Sequence, residues 1–327
     1  MTIKIVEPTA LPAGVTLPLP TVIWSHGGAG GNNANTLADW RGVTAEACYT
    51  SVSIGHTWPQ PVVEDAICTD LLDLTSGVDC GEGYQKLLSL LRPWDIVQTI
   101  DYLENNYADL VDITKIAVGG HSAGAGGTLM VAGATRAFRT GDRSKQYIDI
   151  RDLSDPRPVA FLAFSPQGPG VDGFYETWKR SGETSWDTVE RPVLIATGDG
   201  DNGCDQTPRT TTSSTIHYCA NLGPTPSNRK AVFDLIPADP AGEISKYLLY
   251  IDHWRAAHTI FKYSRNTCVS GGGGTRDDIC DQMLEVLSRT AIGFLDWHVR
   301  GDPLAEDFLA QDPNTPRSRG KFLWDSK

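Results

Sequence analysis

Residues 115–127 carry the clearest chemical signal in the sequence. A run of β-branched and small residues leads into the pentapeptide Gly-His-Ser-Ala-Gly at 120–124, and a helix-forming stretch follows directly. A serine in a tight turn between a strand and a helix presents its hydroxyl above the sheet edge, as a nucleophile requires. Glycines remove side chains that would collide there, and the helix N-terminus directs N–H groups at developing negative charge. The pattern predicts Ser122 as a nucleophile.

A glycine-rich loop follows an earlier apolar run at residues 21–24. Its sequence, His-Gly-Gly-Ala-Gly at 26–30, allows the backbone to approach a substrate closely. The loop lies upstream of Ser122, where the second N–H donor of an oxyanion hole is expected. We therefore assign the oxyanion hole to the N–H groups of Gly28 and Ala123, with Ala29 as the alternative to Gly28. A phosphate-binding loop is not indicated, because no Gly-Lys-Ser/Thr follows the glycines.

A third loop, at residues 198–203, contains two candidate acids after another apolar run. Asp201 stands three residues beyond the glycine that ends this run, and Asp199 is the alternative. The loop also matches the dinucleotide-binding pattern Gly-x-Gly-x-x-Gly. Two aspartates would repel a pyrophosphate, however, and no helix pattern follows, so the match is misleading.

Two histidines follow the last apolar run, at residues 247–251. When a nucleophilic serine lies in such a turn between a strand and a helix, the acid and then the histidine follow it along the chain. The base is therefore expected here. His253 lies immediately beyond the run, whereas His258 has room to arch back over the serine. We select His258 and keep His253 as the alternative. His26 and His121 are interpreted as residues that fix loops.

The elements that must position these residues alternate along the chain. Apolar runs typical of buried parallel strands occur at residues 21–24, 51–54, 115–118, 159–164, 193–197 and 247–251. Helical patterns occupy residues 93–105, 123–138 and 282–299. This alternation predicts an α/β protein whose doubly wound, mostly parallel sheet carries helices on both faces. No linker divides the 327 residues, so a single domain is expected.

Composition excludes several classes of function. The chain has 28 basic and 40 acidic side chains, a formal net charge of −12, which disfavours nucleic acid and anionic membranes as partners. No segment of 18 consecutive apolar residues indicates a membrane span.

Seven cysteines indicate disulfides rather than a metal site. None lies at zinc-ligand spacing, and six form close pairs in sequence with Cys48 left over. The predicted pairs are Cys68 with Cys80, Cys204 with Cys219, and Cys268 with Cys280. They fall in the long loops 58–91, 202–228 and 263–281, which we expect to line the rim of the site. Disulfides favour a secreted or periplasmic protein. The first residues of the chain have neither the apolar segment nor the cleavage site of a signal peptide, so either a signal peptide has been removed or the protein is cytoplasmic.

These motifs resemble the predicted dienelactone hydrolase and platelet-activating-factor-acetylhydrolase-like branch of the α/β-hydrolases. The resemblance runs from about residue 20 to 309 and rests on the tetrapeptides at 92–95, 165–168 and 198–201 as well as the segments described above. It implies an α/β-hydrolase fold with Ser122, Asp201 and His258 as a catalytic triad. The elbow is also similar to that of bacterial cutinases and polyester hydrolases. True dienelactone hydrolases use a cysteine nucleophile, so their substrate is not implied.

The sequence thus predicts a serine carboxylic-ester hydrolase that acts on small-acyl or aromatic esters through an acyl-enzyme. Such chemistry needs neither a metal nor an organic cofactor. Two alternatives are a secreted polyester or cutin hydrolase and a non-catalytic binding protein on the same fold. Four tryptophans in loop regions either line an apolar acyl site or pack: Trp58, Trp178, Trp186 and Trp254.

Overall fold

The computed structural model describes residues 1–28, 32–56, 84–139, 148–171, 174–176, 182–201, 225–239, 241, 243, 245–263, 278–311 and 321–327. It contains ten strands: β1 (Thr2–Val6), β2 (Leu19–Ser25), β3 (Thr50–Gly55), β4 (Val111–His121), β5 (Arg136–Arg139), β6 (Ile148–Arg151), β7 (Pro158–Phe164), β8 (Val193–Gly198), β9 (Lys246–Asp252) and β10 (Lys321–Ser326). Its α-helices are α1 (Ala38–Glu46), α2 (Tyr84–Asn106), α3 (Ala123–Ala132), α4 (Pro226–Leu235), α5 (Asp278–Leu295) and α6 (Pro303–Leu309).

Eight strands form one mixed sheet in the order β1-β3-β2-β4-β7-β8-β9-β10. The six central strands are parallel to their neighbours, while the edge strands β1 and β10 run antiparallel to β3 and β9. A separate two-stranded sheet pairs β5 with β6. The predicted α/β class and the mostly parallel sheet are confirmed, and each of the six predicted strands lies within one of the central strands.

Helices cover both faces of the large sheet, because its central strands are apolar on both sides. In β2, Val22 and Trp24 belong to one buried cluster with residues of α1 and α5. Ile23, between them, belongs to a second cluster with residues of α2, α3 and α4. Alternate side chains of a strand point to opposite faces, so each cluster identifies the helices of one layer.

Three predicted helices have different bounds in the structure. The helix predicted at 123–138 ends at Ala132, where Gly133 adopts φ 124°, and β5 follows. The helix predicted at 93–105 begins at Tyr84, so that Pro93 lies inside it rather than at its first turn. The helix predicted at 282–299 begins at Asp278 and passes at Asp296 into a π-helical turn.

Most of the three predicted rim loops, residues 57–83, 202–224 and 264–277, lies outside the described residues. Their ends that are described correct the prediction: 84–91, 226–228 and 278–281 belong to α2, α4 and α5. Among the described residues, no helix has the length and apolar character needed to cross a membrane.

Candidate active site

Ser122 forms the whole connection between β4 and α3. Its backbone has φ 57° and ψ −122°, a left-handed conformation that non-glycine residues rarely adopt. The Ser122 N–H donates to the Phe164 carbonyl at 3.0 Å, and the Ser122 carbonyl accepts from the Gly126 N–H at 3.1 Å. A Cβ at Gly124 would fall on the backbone of Ser25, so glycine there permits α3 to pack against the end of β2. The strand–serine–helix turn expected from the sequence is present.

Asp201 lies three residues beyond the end of β8, and His258 lies six residues beyond the end of β9. The fold brings the two side chains together. The His258 Nδ1–H donates to Asp201 Oδ1 at 2.8 Å. Asp201 is fully buried, whereas the His258 side chain is 17% exposed. Because a carboxylate only accepts hydrogen bonds, His258 carries its hydrogen on Nδ1, and Nε2 keeps a lone pair.

The alternative acid and base lie elsewhere. Asp199 is exposed and accepts a hydrogen bond from the Tyr250 hydroxyl at 2.5 Å. His253 Nδ1 accepts from the Arg255 N–H at 3.1 Å, and its ring stacks on Trp254. Neither residue takes part in the Asp201–His258 pair.

Three residues that the sequence interpretation did not select hold the Asp201 carboxylate. The Ser165 hydroxyl donates to Asp201 Oδ1 at 2.7 Å and lies 2.6 Å from His258 Nδ1, while the Thr197 hydroxyl donates to Oδ2 at 2.8 Å. Arg229, on α4, places Nε 3.1 Å from Oδ1 and is 1% exposed. An isolated buried carboxylate is costly, and these donors together with the guanidinium offset that cost.

Ser165 occupies a second left-handed position, with φ 53°, directly after β7. Its N–H donates to the Ala196 carbonyl of β8 at 2.7 Å, which anchors the turn beside Thr197. Ser165 opens the Ser-Pro-Gln-Gly tetrapeptide noted in the sequence, so its position carried a signal. Arg229 carried none, because it approaches Asp201 only through the packing of α4.

His121 connects the serine turn to the histidine loop. One of its ring nitrogens, Nε2, lies 2.9 Å from the His258 carbonyl, and the two imidazole rings are 4.5 Å apart. Burial is the main cause that lowers the pKa of His121 well below its usual value, with the nearby His258 adding to the effect. His121 is therefore neutral at pH 7, and Nε2 donates to the carbonyl, in line with its interpretation as a loop-fixing residue.

The loop after β2 lies against Ser122. Ser25, the last residue of β2, pairs with Gly120 of β4, and a Cβ added to Gly27 would stand 3.0 Å from the Ser122 Cβ. Gly28 is exposed at the surface of this loop, and Ala29 lies outside the described residues. The backbone predicted to supply an oxyanion donor therefore comes close to the serine.

The second predicted donor, the Ala123 N–H, already has a partner. With its carboxamide oriented to satisfy both atoms, Gln167 accepts from the Ala123 N–H at 3.0 Å and donates to the Ser122 carbonyl at 2.9 Å. The Gln167 side chain is buried directly after Ser165 and Pro166. An oxyanion bound to Ala123 would share this N–H with the carboxamide or displace it.

A second chain of serine, histidine and aspartate lies behind the loop. The Ser25 Oγ is 2.8 Å from His56 Nε2, and His56 Nδ1 is 3.0 Å from Asp95 Oδ2. Ser25 is 0% exposed, and His56 and Asp95 are 2% exposed. Sequence reasoning did not find this chain, because the three residues belong to β2, to the residue after β3, and to α2.

Comparison with known proteins finds no match for the chain. No protein-family model matches the chain. No curated protein is significantly similar to it. The arrangement around Ser122 and His258 is therefore the basis for any functional assignment.

The predicted cysteine pairs and tryptophans are only partly described. Cys68, Cys80, Cys204, Cys219 and Cys268 lie outside the described residues, and no disulfide joins two described residues. Cys280, buried on α5, is disulfide-bonded to a partner outside them, whereas Cys48 is a free thiol.

The predicted tryptophans differ in exposure. Trp186 is buried and stacks on Phe174, so it packs the core, while Trp254 is 71% exposed. Trp58 and Trp178 are outside the described residues.

Proposed function

We propose that the protein is a serine carboxylic-ester hydrolase of the α/β-hydrolase fold, with Ser122, His258 and Asp201 as its triad. The observation that carries the proposal is the 2.8 Å hydrogen bond between His258 and the buried Asp201, on a loop that His121 fastens beside Ser122. This pairing fixes the imidazole tautomer whose Nε2 can accept a proton. Such a base beside a serine at a helix N-terminus is the arrangement that acyl transfer needs.

In the proposed reaction the Ser122 Oγ attacks the ester carbonyl carbon while its proton passes to His258 Nε2. Collapse of the tetrahedral intermediate breaks the bond to the alcohol, which leaves with that proton. Water then attacks the acyl-enzyme, again with His258 as the base, and releases the acid. Asp201 stabilises the imidazolium in both halves of the reaction.

Ser122 makes no hydrogen bond through its hydroxyl to any described residue, His258 included. Substrate-free active sites often have such open contacts, which tighten when a substrate binds. The half-buried position of Ser122 favours it over Ser25, whose hydroxyl is fully buried together with the histidine and aspartate that follow it in the hydrogen-bonded chain.

The proposed oxyanion hole comprises the N–H groups of Gly28 and Ala123. The close approach of Gly27 to Ser122 supports the first donor, and the position of Ala123 at the start of α3 supports the second. The helix dipole adds partial positive charge at the same place. Entry of the oxyanion at Ala123 requires the Gln167 carboxamide to share or release that N–H.

Small-acyl and aromatic esters are the proposed substrates, with polymeric esters as the second candidate. Trp254, four residues before His258, is exposed. An accessible indole can lie against an extended apolar substrate, which is the reason to keep polymeric esters as candidate substrates. The disulfide at Cys280 supports an oxidising compartment, secreted or periplasmic.

Kinetics on p-nitrophenyl esters from acetate to palmitate, with an insoluble polyester beside them, test the proposal. Ser122→Ala, His258→Ala and Asp201→Asn should each lower kcat about 1,000-fold or more, because triad members act as a unit. The matched controls His253→Ala and Asp199→Asn should stay within roughly tenfold of the wild type. A folded wild-type protein without esterase activity on the whole panel would favour a non-catalytic binding protein.

A further inference from the structure

The buried Ser25–His56–Asp95 chain has a defined direction. Asp95 accepts the His56 Nδ1–H, which leaves Nε2 as an acceptor, so the Ser25 hydroxyl must donate to it. Burial is the main cause that lowers the pKa of His56 to about 4, which keeps the ring neutral at pH 7. The Ser25 hydroxyl is therefore engaged and enclosed. The chain fastens the last residue of β2 to α2 through the side chain that follows β3.

Arg92 stands one turn before Asp95 on the same face of α2, and it holds the loop that continues from Ser25. Its Nε donates to the His26 carbonyl at 3.2 Å, and its Nη2 donates to the Gly27 carbonyl at 3.3 Å. The His26 ring Nδ1 adds a second contact to the Gly27 carbonyl at 2.7 Å. Helix α2 thus holds the residue before the loop through His56, and it contacts the first two carbonyls within the loop directly.

These contacts determine where the Gly28 N–H points. The Gly27 carbonyl and the Gly28 N–H belong to one planar peptide unit, and in a trans peptide they point in opposite directions. With the carbonyl held toward Arg92 and the His26 ring, the N–H is turned away from α2. A glycine on each side of the peptide bond leaves this orientation without support from side chains of its own, so Arg92 and the His26 ring must supply it.

We propose that Arg92, assisted by the Ser25–His56–Asp95 chain, is a positioning residue that orients the Gly27–Gly28 peptide and so aims the Gly28 N–H at the oxyanion. The inference rests on the proposed esterase function and adds to it the residues that preorganise one half of the oxyanion hole. Arg92 itself does not touch the substrate. Its effect is exerted through the direction of one N–H group.

The test compares Arg92→Lys with a matched control, Arg191→Lys. Arg191 also uses its guanidinium to hold main-chain carbonyls, those of Val131, Asp155 and Pro158, but near the start of β7 rather than beside the serine. Lysine keeps the charge and loses the fork that contacts two carbonyls at once. Steady-state kinetics on p-nitrophenyl butyrate should show kcat lowered roughly 10- to 100-fold in Arg92→Lys, with KM within about threefold. The control should stay near wild type.

Inhibition by an alkyl trifluoromethyl ketone distinguishes positioning of the N–H group from a merely structural role of Arg92, because this inhibitor forms an oxyanion in the site. Ser122 Oγ adds to its carbonyl carbon, the hydroxyl proton passes to His258, and the carbonyl oxygen becomes an oxyanion. Its inhibition constant should weaken by about the same factor as kcat, while inhibition by butyrate stays unchanged. Asp95→Asn should show the same changes in kcat and in ketone inhibition, but smaller ones. It replaces Arg92→Lys as the test variant if Arg92→Lys does not fold.

The outcomes separate the two claims. Equal losses in Arg92→Lys and Arg191→Lys, or a loss in Arg92→Lys confined to KM, would overturn the positioning role while esterase activity of the wild type still stands. A wild type that neither hydrolyses the ester nor binds the ketone would overturn the proposed function, and this inference with it.

Discussion

The His121 ring donates a hydrogen bond to the main-chain carbonyl of His258, with the two imidazole rings 4.5 Å apart. His121 is the last residue of β4 and directly precedes Ser122, so this contact links the serine turn to the loop that carries the candidate base. A neutral His121 also adds no positive charge beside the imidazolium that forms at His258 during acyl transfer.

His121→Phe should lower kcat about tenfold, because the histidine loop loses one buried hydrogen bond of about 1 kcal/mol and with it a fixed position. His121→Gln keeps a donor and should recover part of the loss. Steady-state kinetics on p-nitrophenyl acetate, with melting temperatures measured in parallel, check this. Equal activity of the two variants would show that the donor at residue 121 does not matter.

Ser165→Gly should lower kcat roughly tenfold without abolishing folding. Glycine accepts the left-handed backbone at φ 53°, so the change removes the hydroxyl shared by Asp201 and His258 and little else. Thr197→Val, which removes the donor to the other carboxylate oxygen, is the paired variant. If kcat is unchanged in both variants, Asp201 is held by Arg229 and the backbone alone.

Acidification should weaken the fold between pH 7 and pH 5. Burial lowers the pKa of His56 and His298 to about 4 and that of His121 well below its usual value. In the unfolded chain these histidines bind protons near pH 6.5, whereas in the folded protein they stay neutral down to a lower pH. Their contribution to the free energy of unfolding is therefore fully present above pH 6.5 and is lost as the pH falls toward 4. Each such histidine contributes a slope of about 1.4 kcal/mol per pH unit.

Urea unfolding at pH 7.5, 6.0 and 5.0 measures this slope. His298→Gln, remote from Ser122 and able to keep the contact with the Tyr247 hydroxyl, should reduce the slope by about one proton. A free energy of unfolding that does not change over this range would contradict the buried, neutral state of these rings.

The cysteines give a prediction that is independent of catalysis. Intact-mass analysis before and after reduction should show three disulfides, with Cys48 as the one free thiol, because six cysteines lie in close pairs and Cys280 is bonded while Cys48 is free. Seven free thiols in the native protein would remove the argument for an oxidising compartment.

The central strands were predictable because burial on both faces leaves a continuous apolar run in the sequence. The edge strands β1 and β10 were not predicted. Each pairs on one side only; β1 alternates polar and apolar residues, and the apolar run of β10 is only three residues long. Likewise β5 lies within what reads as a continuation of α3, and only the conformation of Gly133 ends that helix.

Ser122 was predictable from local pattern, and Asp201 with His258 from chain order and loop length. Ser165 and Arg229 meet Asp201 from 36 and 28 residues away, and His56 meets Ser25 and Asp95 across three elements. Contacts of this kind depend on strand order and helix packing, which no local pattern contains. They are the contacts that hold the candidate site in place.

Labelling of the native protein with a fluorophosphonate, followed by peptide mass mapping, tests the central claim most directly. The reagent reacts with a serine that a neighbouring base activates, so the adduct should be found on Ser122 in the wild type. Its formation should slow by at least about 100-fold in His258→Ala, and it should be unaffected in His253→Ala. An adduct on Ser25 or any other serine, or no adduct on the folded wild type, would contradict the assignment of Ser122, His258 and Asp201 as a catalytic triad.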